Sequence, residues 1–209
     1  MKIILFGAPG SGKGTQAPLL AGLFNAKIIS LGDILREEVK RDSKLGKEVK
    51  TYMDKGVLVP DEVVARVIEE NVDKAGFILD GYPRNLAQAK NLEGVLQKKG
   101  QGIDAFIYFE VDEDTVVGRL SKRRVCKKCG ALYHLVNMPS AKEGICDVCQ
   151  GPLYQRKDDS PEVIKKRLEV FTKESKSVVD FYEERGNLIT VDARKDKDDV
   201  FKQIKEKLK

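Results

Sequence analysis

Short apolar runs recur along this chain, separated by longer stretches whose apolar residues fall three and four apart. The runs are KIILFG from Lys2, KIIS from Lys27, GFILD ending at Asp80, AFIYFEV from Ala105 and NLITVDA from Asn187. A run apolar on both faces reads as a buried strand, and alternation with helical spacing predicts βαβ units around a five-stranded parallel sheet. One or two of the runs could instead be buried helical turns. Helix starts are marked at Asp61, after Pro60 and before EVVARVIEE, and at Ser160, with Pro161 in the first helical position. The polar segment 150–159 predicts a loop or short strand, and DDVFKQIKEKL near the C-terminus an amphipathic helix.

Composition narrows the class. A chain of 209 residues with 41% hydrophobic content suffices for one α/β core with insertions. Its 38 basic and 33 acidic residues leave a net charge of +5, a mild excess that favours anionic small molecules without pointing to nucleic acid. The first apolar run enters a glycine-rich loop without a small-residue cleavage site, and no window approaches the roughly 18 apolar residues of a membrane span. A soluble, cytoplasmic protein is expected.

The loop GAPGSGKGT, Gly7 to Thr15, follows the first run directly and precedes the helical run APLLAGLF. In that context its glycines turn backbone N–H groups inward around phosphate oxygens, Lys13 neutralises them, and the helix N-terminus adds partial positive charge. The candidate ATP contacts are Gly10, Ser11, Gly12, Lys13, Gly14 and Thr15. A strict loop of this type has Ser or Thr after the lysine to hold magnesium, yet here that position is Gly14. Thr15 is displaced by one residue. Magnesium must then rest on nucleotide oxygens, water and carboxylates elsewhere, with Asp80 and Asp33 as the candidates for holding the water.

The form G-x-P-G-x-G-K-G-T resembles the nucleoside monophosphate kinases. SLGDILR from Ser30, DGYPRNLAQA from Asp80, RLSKRR from Arg119 and YQRKDDSPEVIKKRL from Tyr154 look like adenylate kinase segments, in order and over essentially the whole chain. The resemblance implies a P-loop NTPase core, 1–29, 60–121 and 160–209, with two mobile inserts. The first, 30–59, would bind AMP; the second, 122–159, would close over ATP. The implied reaction is ATP + AMP ⇌ 2 ADP with Mg2+, by a monomer. A kinase for another nucleoside monophosphate, or one using GTP, is the nearer alternative.

Of 11 arginines, seven fall inside those four segments: Arg36, Arg84, Arg119, Arg123, Arg124, Arg156 and Arg167. Guanidinium forks suit phosphate, and the concentration points to anion recognition, with one or two of the seven, Arg124 first among them, as ordinary surface residues. The attacking phosphate oxygen is already anionic, so positioning and charge stabilisation suffice and no nucleophile-and-base pair is needed. By resemblance, Arg36 and Arg84 grip the AMP phosphate, and Lys13, Arg84, Arg123, Arg156 and Arg167 form the catalytic set, Arg156 and Arg167 also touching AMP. Arg119 stacks on the ATP adenine, and Lys195 is a further ATP contact. Asp158 and Asp159 dock the lid. Gln88 reads the AMP base, and Val57, Leu58, Val59, Gly81, Tyr82 and Pro83 complete that side. Leu31 departs from the family's Thr or Ser and puts base preference in doubt.

All four cysteines lie in the second insert, as CKKC at Cys126 and Cys129 and CDVC at Cys146 and Cys149, with 16 residues between the pairs. That is zinc spacing, with disulfides as the alternative that a reducing compartment disfavours. Zinc ribbons often bind nucleic acid. Here SKRR and YQRKDD flank the ribbon as lid edges and the insert carries no basic stripe, so no nucleic-acid partner is expected. The implied role is a structural Zn2+ in a lid. His134 is read as a non-ligand that, with Leu132 and Tyr133, lines the lid edge over ATP.

Overall fold

The computed structural model describes residues 1–72 and 75–208. β1 (Lys2–Gly7) leads through the glycine loop into α1 (Lys13–Phe24), and β2 (Lys27–Ser30) runs into α2 (Leu31–Lys40) and α3 (Lys44–Lys55). α4 (Asp61–Asn71), β3 (Phe77–Asp80), α5 (Leu86–Lys98), β4 (Ala105–Glu110) and α6 (Glu113–Ser121) follow. Then come three short strands, β5 (Arg123–Cys126), β6 (Leu132–His134) and β7 (Leu153–Tyr154), and a 3-10 turn at Lys157–Asp159. α7 (Pro161–Glu183), β8 (Leu188–Asp192) and α8 (Lys197–Lys207) complete the chain.

All five predicted runs are strands of one parallel sheet, in the order β2-β3-β1-β4-β8. β1 is central, so it is apolar on both faces. Ile4 and Phe6 pack on one face with helices α2 to α5 and α7, while Ile3 and Leu5 pack on the other with α1 and α8. Phe106 of β4 stacks on Tyr182 of α7 with centroids 4.2 Å apart, and Phe6 leans on Phe106 at 5.1 Å. These rings fix α7 against the sheet. Because β1 ends at the sheet's carboxyl edge, the glycine loop opens where open α/β sheets bind ligands.

Helix boundaries follow local chemistry. Ser160 caps α7, accepting from the Val163 amide at 3.4 Å, with Pro161 opening the helix. Asp61 behaves differently. Pro60 occupies the cap of α4, and the Asp61 carboxylate instead accepts from Asn85 Nδ2 and Gln88 Nε2 at the start of α5. The insert 122–159 carries its own antiparallel sheet, β6-β5-β7. Among the described residues no helix is long and apolar enough to cross a membrane.

α2 and α3 cross at a glycine. A Cβ on Gly46 would lie 2.1 Å from the Glu38 carbonyl oxygen and 2.7 Å from the Val39 nitrogen, so the backbones touch there. Gly46→Ala should therefore force the helices apart and cost about 1–3 kcal/mol, as overpacking typically does. Gly94→Ala in α5, where a Cβ meets nothing within 4 Å, should be neutral or stabilising. Thermal unfolding of the two variants checks this; equal midpoints would contradict the crossing contact.

Candidate active site

The loop after β1 closes around its own lysine. Lys13 Nζ donates to the carbonyls of Gly7 and Ala8, both at 2.8 Å, and to Ser11 Oγ at 3.3 Å. Gly12 takes φ +102°, a region that costs any residue with a Cβ, and this turns the chain into α1 without a side-chain cap. The first amides of α1 therefore face the loop's hollow, the arrangement that binds phosphate.

Gly14 has a second reason to be glycine. A Cβ there would sit 3.0 Å from Leu132 Cδ1 of β6 and 3.6 Å from Asp80 Oδ2 at the end of β3. The position that carries a hydroxyl in strict loops of this type is a gap over which the second insert lies. Asp80 faces that gap as a carboxylate whose pKa burial raises, against the pull of Lys13. A cation beside Asp80 relieves that cost, and oxygen ligands suit magnesium, so the donor set fits it.

Above the loop lies a cleft of about 1180 Å3, larger than the roughly 300–1,000 Å3 of a single-ligand pocket. Every residue expected on the ATP side lines it: Gly10 to Thr15, Arg119, Arg123, Leu132, Tyr133 and Lys195. So do Asp33, Asp80, Arg36, Leu58, Gly81, Pro83, Arg84, Arg156 and Arg167. Burial pushes Lys13 down to about 8, with Asp80 pulling the other way and Arg84, Arg167 and Arg123 adding to the fall. Burial likewise brings Arg156 and Arg167 to about 10. Arg84 is lowered by burial and then by Arg36. These are cations held close together out of water. Arg156 Nε is buried with no protein hydrogen-bond partner.

Carboxylates fix the array. Asp159, 1% exposed, accepts from Arg123 Nη2 at 2.6 Å and Nε at 2.9 Å. Asp158 accepts from Arg167 at 2.9 Å, and Asp33 from Arg36 at 2.6 Å and Arg156 at 3.3 Å. Burial opposes ionisation of Asp33 and Asp158, but Arg36 and Arg167 respectively hold their pKa values below normal. Arg119 donates to the Arg194 carbonyl at 3.2 Å, spanning the cleft's outer wall. Arg124 turns to the Arg123 carbonyl at 2.7 Å and does not line the cleft.

Five residues expected on the AMP side lie outside the cleft lining: Leu31, Val57, Val59, Tyr82 and Gln88. Leu31 is 2% exposed, packed with Ile29 and Leu35 in the core. Tyr82 donates to the Gln88 carbonyl at 3.1 Å. Gln88 accepts from the Arg84 amide at 2.8 Å and donates to Asp61 at 2.7 Å, so in this arrangement it holds the Arg84 backbone. The Asp61 link is invisible in sequence because a helix-start aspartate is an ordinary cap. Gln16 is a similar case: it donates to the Lys197 carbonyl at 2.7 Å and ties α1 to α8.

In the second insert the four cysteines are free thiols whose Sγ atoms lie within 4.8 Å of one another. Cys126 and Cys149 are 3.4 Å apart, Cys129 and Cys146 3.5 Å. A tetrahedron with metal–sulfur bonds of about 2.3 Å has edges of about 3.8 Å, so the cluster fits a four-thiolate metal. Each second cysteine of a pair is followed by a left-handed residue, Gly130 and Gln150, giving two matching knuckles. His134 is not among the clustered ligands. Its Nδ1 accepts from the Val136 and Asn137 amides at 3.1 and 3.0 Å, which leaves the proton on Nε2. Tyr133 borders the cleft, yet its ring is 8% exposed and its hydroxyl points to Cys146. Tyr133 thus lines the edge of the cleft, as expected of it, while its hydroxyl is directed into the ribbon.

The sequence profile of the adenylate kinase family matches residues 5–187. The adenylate kinase of Caldicellulosiruptor bescii is 47% identical over 208 residues, covering 98% of this chain and 97% of that one. That of Caldicellulosiruptor saccharolyticus is 48% identical with the same coverage. The Bacillus licheniformis enzyme is 47% identical over 212 residues, covering 100% and 98%. With agreement of this depth running from end to end, the chain belongs to the adenylate kinase family.

Proposed function

We propose that this chain transfers the terminal phosphoryl group of MgATP to AMP, reversibly giving two ADP, as a monomer in the cytoplasm. The observation that carries this is the convergence of Lys13, Arg36, Arg84, Arg123, Arg156 and Arg167 on one cleft large enough for two nucleotides. These cations come from the core, the first insert and the second. A triphosphate and a monophosphate bring about six negative charges together at roughly −1.5 to −2 per monoester, which this array offsets.

Lys13 and the α1 amides hold the β and γ oxygens of ATP. Arg119 covers its base, and Leu132 lies over the loop. Arg36 and Arg84 hold the AMP phosphate, with Gln88 and Asp61 fixing Arg84 from behind. Arg123, Arg156 and Arg167, aimed by Asp158 and Asp159, surround the migrating group. The nucleophile is an AMP phosphate oxygen that is already ionised, so no side chain accepts a proton, consistent with a His134 whose Nδ1 is engaged by backbone amides. Asp80 and Asp33 would hold magnesium through water, and the ion would supply positive charge to the phosphates. Cys126, Cys129, Cys146 and Cys149 would hold a zinc that braces the second insert, and with four thiolate ligands it would leave no position for a reacting water. Movement of the two inserts would bring the substrates together and exclude water, which protects ATP from hydrolysis.

A coupled assay across acceptors tests the reading: turnover should favour AMP over CMP, UMP and GMP by about tenfold or more in kcat/KM, some 1.4 kcal/mol in transition-state binding. Equal use of CMP would point to a different monophosphate kinase. Arg84→Ala should raise KM for AMP strongly and leave ATP affinity nearly intact, whereas Lys13→Ala should depress kcat with both substrates bound. A wild-type Arg84→Ala enzyme would refute that assignment.

The Lys13 shift sets a pH dependence. With its pKa lowered from 10.5 to about 8, the free enzyme loses this charge as pH rises through 8, and an adjacent triphosphate draws the proton back. ATP affinity should thus fall by about tenfold between pH 7 and 9, with proton uptake on binding near pH 9. Calorimetry in buffers of different ionisation enthalpy measures both; a pH-independent affinity without proton uptake would contradict it.

A further inference from the structure

We infer that Tyr133 is a positioning residue for the lid metal, its hydroxyl donating to the Cys146 thiolate and so joining the second knuckle to the strand that covers the phosphate loop. The inference rests on the reading of the four cysteines as a zinc site.

β6 has only three residues, and their sides alternate. Leu132 reaches toward Gly14 and the flanking His134 borders the cleft, while the Tyr133 ring is buried against Cys126 and Cys146. Its hydroxyl oxygen accepts from the Asp147 amide at 2.8 Å. That leaves the hydroxyl's own proton for a second partner, and Cys146 Sγ lies 3.4 Å away, itself fully buried. Thiol and metal-bound thiolate can both accept it, the thiolate more strongly because the bond is then charge-assisted. A residue 13 positions earlier in the chain thereby orients a ligand, while its neighbour Leu132 lies over Gly14 and lines the same cleft as the phosphate loop. A single side chain links metal geometry to lid geometry. Partners of this kind change metal affinity by roughly 10–100-fold when removed.

Tyr133→Phe keeps the buried ring and removes only the hydroxyl. In the full-length protein, zinc affinity measured by competition with a chromophoric chelator should fall by about tenfold or more. With Co2+ in place of zinc, the thiolate-to-metal charge-transfer band should move to lower energy, because a sulfur lone pair that loses a hydrogen bond is easier to ionise. An unchanged affinity would overturn the proposal. So would a weakened affinity with an unshifted cobalt band, since the hydroxyl would then act through packing alone. Wild-type protein that takes up neither metal would instead overturn the zinc reading itself.

Discussion

Like charges dominate this molecule. Lys13, Arg36, Arg84, Arg123, Arg156 and Arg167 are among the cations brought to one cleft and partly removed from water, an arrangement that costs free energy until anions share it. The depressed pKa values of Lys13, Arg156 and Arg167 record that cost. The sheet tolerates it because the strain sits at its carboxyl edge, above a core that buries Ile4, Phe6 and Phe106 on one face and Ile3, Leu5 and Ile107 on the other. Binding of two phosphorylated nucleotides then relieves repulsion rather than merely adding contacts.

Carboxylates give the array its geometry. Asp159 is fully buried and takes both donors of one edge of Arg123, Nε and Nη2, which fixes the plane of that guanidinium. Asp33 joins Arg36 of the first insert to Arg156 at the base of the second, which ties the two inserts across the cleft. These pairs are too few to neutralise the cations. They set direction and leave charge over for phosphate.

Glycine at position 14 connects the loop to the lid. A serine side chain there would occupy the space between Leu132 and Asp80, where the second insert meets the core. Glycine at this position thus leaves room for Leu132 and keeps Asp80 close to the loop. Behind Leu132 stands the four-cysteine cluster, whose Cys146 meets the Tyr133 hydroxyl. Leu132 and the cysteine cluster thus lie on opposite sides of the same short strand.

The sequence alone determined the features set by local pattern. Five apolar runs became five parallel strands because a strand buried on both faces must be apolar throughout, and the glycine loop declared itself because phosphate needs bare amides. Cysteine spacing marked the four-thiol cluster, since two C-x2-C pairs at this separation match the spacing of a four-cysteine site. Only the tertiary structure decided what depends on distance through space. It alone shows Asp61 serving Gln88 instead of its own helix, Leu31 buried in the core, Tyr133 facing Cys146, and Arg124 turned to backbone carbonyls while the other six arginines of the four segments line the cleft. The reason is physical: a side chain's partner is fixed by where separate elements meet. A helix-start aspartate, or a tyrosine in a three-residue strand, reads the same in sequence whichever side of the element its partner lies on.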